Sequence, residues 1–311
     1  MMKQYLTKRI LGTFPLLLLV TFMAFVLINL RTSDPAEIAL RVNQITPTEE
    51  VVQEMREELG LDQPFLVRYK NWLLDSLQGD FGNSYVNNKP VLEELKLAIP
   101  PTLQLAGVTL ILIVVFSISI GVICSIFEHR WQDRFLRGFI FVLATMPSFW
   151  IGLLLMWYFS VYLGWLPTSG MNGPTSIILP ALTLSLTFLS TYVRLIRNNM
   201  IQNASENYIL YAKLRGLKQS TVVWKIFTNS IQSSLTAFGM SIPRLIAGTV
   251  IVENIFAWPG IGRLCVKAIF NSDYPVIQAY ILLMAVLFIV CNLLVDICIV
   301  MIDPRLRREA K

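Results

Sequence analysis

From residue 277 to 302 the chain carries a single charged side chain, Asp296. A helix rises about 1.5 Å per residue, so a run of this length crosses the ~30 Å hydrocarbon core of a bilayer. Five further runs read the same way: 10–30, 102–127, 138–163, 176–193 and 238–256. In lipid each backbone N–H and C=O must be bonded within the structure, so these runs are expected to be helices. The expectation is an all-α, polytopic membrane protein with six transmembrane helices. The run 138–163 is interrupted by Met146-Pro147-Ser148. Proline removes a backbone donor, and a kink is predicted there.

Composition agrees: 55% of residues are hydrophobic and 15% charged, far from the balance of a soluble domain. The formal charge of +6 does not point to nucleic acid, because no basic stripe interleaves with aromatics. Lysine and arginine gather instead beside alternate ends of the apolar runs. Lys3, Lys8 and Arg9 precede the first, which is read as a retained span and not a cleaved signal. Arg130, Arg134 and Arg137 lie between the second and third runs. The short loops 164–175 and 257–276, assigned to the other face, hold only Arg263 and Lys267. The positive-inside rule then places both termini in the cytoplasm.

This divides the chain into four parts. Residues 1–30 are the cytoplasmic N-terminus and first span. Residues 31–100 are an extracytoplasmic helical domain, and 101–302 a membrane core. Residues 303–311 are a cytoplasmic tail. In the outer domain, Thr46-Pro47-Thr48-Glu49-Glu50 predicts a helix start with Pro47 in the first turn, and Gly60 its end. A second helix is predicted over 66–77, with Tyr69, Trp72, Leu73 and Leu77 on its apolar face. The acidic run there reads as a solvated helix face.

The cytoplasmic loop 194–235 is polar, basic and patterned. Asn203 followed by Glu206 predicts an N-cap and capping box. Lys213 and Arg215 suit the last turn of that helix, and Gly216 its left-handed stop. Ser220 is expected to cap a second helix, with Val222, Val223, Ile226 and Phe227 on one face. An ordinary helical hairpin between spans would give the same pattern.

Some chemistry is missing. There is no G-x-x-x-x-G-K-S/T phosphate loop, so the chain is not its own ATPase by that route. His129 is the one histidine, and no Cys/His set has metal-ligand spacing. Catalysis, cofactors and a resident metal are therefore not expected. Cys124, Cys291 and Cys298 fall in or beside apolar runs and Cys265 outside them, so they read as packing residues and not disulfides. Arg244, Glu253 and Asp296 lie in or at the edge of spans, where ionisable groups are costly. Arg244, Glu253 and Asn254 are candidates for lining a translocation path. An interhelical ion pair, or a contact with a partner subunit, is the alternative.

The pattern L-Y-A-x-x-x-G at 210–216 resembles the coupling loop of permease subunits of ATP-binding-cassette importers. Ala212 and Gly216 match; Leu210 and Tyr211 stand at the Glu and first Ala positions, and Ser233 replaces a proline usual in the second helix. The stretch 250–262, VIVENIFAWPGIG, resembles permeases that import dipeptides, oligopeptides and nickel. So do 268–278, Gly60 to Pro64, Asp80-Phe81-Gly82 and Asp303-Pro304-Arg305. The likeness covers nearly the whole chain and leans toward nickel or opine-type metal–metallophore import.

That resemblance implies the type I importer permease fold and ATPase coupling through Tyr211, Ala212, Arg215, Gly216 and Leu217. It implies a second, different permease, two cytoplasmic ATPases, an extracytoplasmic solute-binding protein and a place in the cell membrane. A dipeptide or oligopeptide permease is the nearest alternative. An ATP-independent secondary carrier is the alternative of another class. A path that passed bare metal should show soft or imidazole ligands, whereas a chelate brings its own.

Overall fold

The computed structural model describes residues 2–30, 34–42 and 44–302. Among these every regular element is helical. Four helices are long and apolar enough to cross a membrane: α5 (Val91–Ile126), α8 (Ile178–Ala204), α10 (Gln219–Ile255) and α12 (Tyr274–Ile302). A fifth crossing comes from the pair α6 (Trp131–Thr145) and α7 (Ser148–Leu155), if the two count as one. The first run lies in α1 (Met2–Asn29), an apolar helix over Pro15–Asn29 among the described side chains. The tail 303–311 and the side chains of Lys3, Lys8 and Arg9 lie outside the description.

The chain divides into two compact units, 1–101 with 260–311, and 102–259. In the first unit, α1 packs with α12. α2 (Pro35–Val42), which the sequence reading did not foresee, precedes α3 (Glu49–Glu58) and α4 (Phe65–Leu77). Thr48 is the N-cap of α3, so Pro47 stands before the helix and not in its first turn. Gly60 stops it at φ +63°.

α4 lies along α1 through aromatic contacts: Phe22 and Phe25 meet Tyr69 at 5.2 and 5.5 Å between ring centroids. The Tyr69 hydroxyl bonds Thr21 at 2.9 Å. Leu77, expected on the buried face, is 77% exposed, because α4 presents Tyr69 and Trp72 to α1 and Leu77 falls past that contact.

The family-like stretch 268–278 has a structural task in this unit. Asp273, buried, accepts from the Ser84 hydroxyl at 2.5 Å and the Tyr85 amide at 3.1 Å. It thereby ties the 83–90 turn to the start of α12. Burial pushes the Tyr85 hydroxyl up to about 12, with the Asp273 carboxylate adding to the shift.

In the second unit α8 is the central helix, packed against α6, α7 and α10. The predicted kink at Pro147 is a 106° bend: Met146 is extended, Pro147 is the N-cap of α7, and the chain restarts in a new direction. A π-helical turn, Met156–Tyr162, continues α7. The segment expected as a loop from 128 to 137 is mostly helix, since α6 begins at Trp131.

α10 corrects a second expectation. A separate loop helix and a span from 238 are one unbroken helix of 37 residues. Its start is capped at Lys218 and not at Ser220. The Trp-Pro-Gly turn that follows is not a solvated loop. Trp258 and Phe256 are each 1% exposed and belong to the core.

Close helix contact is built on small residues. A Cβ on Gly121 of α5 would meet Ile196 of α8 at 2.8 and 2.9 Å. Gly121→Leu is therefore expected to force these helices apart and cost about 1–3 kcal/mol, read as a lower unfolding temperature in detergent.

Titration of Tyr85 gives a second check. Its folded pKa lies above the unfolded value, so its contribution is complete below about pH 10 and is lost as pH rises towards about 12. Tyr85→Phe should remove that alkaline loss, measured by melting from pH 9 to 12.

Candidate functional site

The polar loop forms a foot at one end of the second unit. α9 (Asn207–Leu214) begins at Glu206, its extended N-cap. Asn203 is not the cap. α8 continues to Ala204, and the Asn203 side chain donates back to the Asn199 carbonyl at 2.9 Å. The C-terminus is as expected. Gly216 has φ +74°. Its N–H reaches Lys213 O at 2.9 Å, and the Leu217 N–H reaches Ala212 O at 3.2 Å. These are the two bonds of a Schellman stop, which glycine permits without Cβ strain.

α9 has two faces. Ile209 and Ala212 are buried in the core that also holds Val222 and Ile226 of α10. Tyr208 links α8 to α10, donating to Asn203 at 3.3 Å and accepting from Asn229 at 3.2 Å. The opposite face carries Leu210, Tyr211 and Leu214, at 55, 67 and 74% exposure. Trp224 on the first turns of α10 is 63% exposed. Arg215, Gly216 and Leu217 are exposed beside them. Of the residues singled out for coupling, Ala212 anchors the helix and the others stand on or beside its free surface.

A buried ion cluster braces this end. Asp133 of α6, fully buried, accepts from Arg197 Nε and Nη2, each at 2.9 Å, and from Arg137 Nε at 3.0 Å. In the sequence Arg137 serves only as a marker of orientation. The i,i+4 spacing of Asp133 and Arg137 was visible, but the bidentate bond to Arg197 on α8 depends on the tertiary packing.

The three path candidates separate. Arg244 is exposed and lines a cavity of about 380 Å³ with Arg194. Glu253 is enclosed within this chain's own helices. It is fully buried, accepts from the Thr102 hydroxyl at 2.6 Å, and its backbone carbonyl accepts from the Trp258 N–H at 2.8 Å. Asn254 is half-buried and donates to Val250 O of its own helix at 2.7 Å. Arg194, expected at the end of a span, sits inside α8 because the helix runs on to Ala204.

Comparison with known proteins follows the same lines. A family model described as binding-protein-dependent transport system inner membrane component matches residues 117–308. A companion model for the N-terminal part of such components matches residues 2–106. The chain is 41% identical over 312 residues to a metal-staphylopine import system permease protein of Staphylococcus aureus, covering 100% of both chains. It is 38% identical over 307 residues to a glutathione transport system permease protein of Salmonella typhimurium, covering 98% of this chain and 99% of that one.

A crystal structure of an amino acid ABC transporter with histidines aligns with TM-score 0.51 and 16% identity. The alignment covers 68% of this chain and 94% of that chain, and shows a shared fold.

Asp133→Ala should leave Arg197 without its carboxylate inside the packed end of α8. Breaking such a buried pair costs on the order of 3 kcal/mol. The expected outcome is early thermal aggregation of the detergent-solubilised variant, against a smaller loss for Arg137→Ala, whose side chain is half in solvent.

Proposed function

The chain belongs to the binding-protein-dependent transport system inner membrane component family, and from that premise we propose that it imports metal–metallophore chelates as one permease of an ATP-binding-cassette transporter. In this reading it supplies six spans and both termini are cytoplasmic. It forms a path with a second, different permease and takes its power from two cytoplasmic ATPases. A solute-binding protein delivers cargo at the outer face. The permease itself catalyses no reaction.

One observation carries the mechanical part. A short helix in a polar loop holds one apolar face in the core and leaves a second, made of Leu210, Tyr211 and Leu214, uncovered. Exposed apolar surface of that kind marks a protein contact. The Schellman stop at Gly216 turns the chain directly into α10, so a push on α9 acts on a helix that crosses the membrane core. ATP-driven approach of two ATPases would reach the path by this route.

For cargo, metal chelates are favoured by the full-length likeness to a metal-staphylopine permease. Nickel and cobalt are the metals that the sequence motifs suggest. Peptide import is the second reading, favoured by the likeness to a glutathione permease. A secondary carrier has little support, since Glu253 is buried and bonded to Thr102 instead of lining an aqueous route.

The test is a double variant, Tyr211→Asp with Leu214→Asp. Both side chains are exposed, so folding and membrane insertion should be unchanged. Co-purification of the ATPases should fall by at least about tenfold, the loss expected when central apolar contacts of an interface are replaced by charge. Uptake should be abolished. Undiminished ATPase capture and uptake would refute the coupling assignment.

A further inference from the structure

The cavity between α8 and α10 holds an arrangement that the family assignment does not explain. Its charged lining consists of Arg194 and Arg244; no carboxylate lines it. Neither guanidinium forms an ion pair with any described residue. The remaining polar groups are uncharged, among them Thr191, Asn198 and Ser241.

Their placement along the two helices adds to this. The Asn199 side chain donates to Ser234 Oγ at 3.3 Å and sets the register of the two antiparallel helices. Arg194 stands five residues from Asn199, and Arg244 ten residues from Ser234, both on the same side of that level. At 1.5 Å per residue the two are about 7 and 15 Å along the span. They form two successive levels along the cavity. Guanidinium groups carried on spanning helices avoid acyl chains; they face protein or a water-filled path.

A bare divalent cation would be repelled by this lining. A solute bearing carboxylates would find two planar, always-charged donors that accept such groups in bidentate fashion. We infer that Arg194 and Arg244 form an anion-selective step of the translocation path, and that the cargo crosses as a net-negative, carboxylate-rich complex. This inference rests on the importer reading and adds the charge of the cargo. On the same grounds Arg194 and Arg244 are specificity-determining positions, at which neutral cargo gains nothing.

The test uses the assembled complex, with its second permease and ATPases, in proteoliposomes. Equilibrium dialysis measures retention of two nickel complexes of similar size: dianionic nickel–EDTA and dicationic nickel–tris(ethylenediamine). The anionic complex should be retained and the cationic one excluded. R194Q/R244Q should weaken retention of nickel–EDTA by about tenfold or more, the loss of two charge-assisted contacts. R194K/R244K should keep most of it.

Equal retention of both complexes, or a glutamine variant that binds nickel–EDTA as well as the unaltered protein, would overturn the proposal. Dissociation of the two permeases in the glutamine variant would assign the arginines to a subunit contact and overturn it as well. ATPase co-purification, scored in parallel, separates the two readings. Its failure in the unaltered complex would sink the importer assignment, whereas loss of charge selectivity with ATPases in place would sink only this one.

Discussion

A charge or polar group placed in a helix bundle of this kind must be matched by the bundle itself, because hydrocarbon offers it nothing. The second unit obeys this at two levels. Near one end Asp133 receives three N–H donors from two arginines. Near the other, Glu253 is closed over and bonded by Thr102, while its own carbonyl holds the amide of Trp258. The Arg197 and Thr102 bonds join segments distant in sequence. Between these two levels the arginines of the cavity have no such match. The contrast makes them informative: the same chain that neutralises Arg197 leaves Arg194 and Arg244 open.

Much of the architecture was legible from residue order alone. Apolar runs about the length of a bilayer crossing or more, broken by charged turns, announced the helices now seen as α5, α8, α10 and α12. Gly60 and Gly216 were readable as helix stops, since each sits just beyond a periodic segment and adopts positive φ. What was not legible came from tertiary choice. Asn203 and Glu206 fit a capping box in spacing, yet α8 had enough packing partners to run through Asn203. Ser220 was as good a cap as Lys218, but nothing in the sequence shows that the loop helix and the span after it are one rod.

The site was read with similar unevenness. Tyr211, Arg215, Gly216 and Leu217 stand on or beside the free surface of the foot, and Ala212 beneath it. Glu253 was singled out because acids are rare in spans, a rule that finds buried structural acids as readily as functional ones. The structure adds that Glu253 is buried and bonded to Thr102. Arg194 was passed over for the opposite reason. Its apolar run stopped at Val193, so it looked like an interfacial residue, and only the continuation of α8 to Ala204 places it within the helix.

α10 joins the exposed Trp224 to the closed-over Glu253 without a break in its 37 residues. Such a helix is about 55 Å long. Rocked by about five degrees around its waist, it swings its two ends by roughly 2 Å in opposite senses. In the importer proposed above, a lever of that geometry would make access exclusive: whatever draws one end inward would carry the other out.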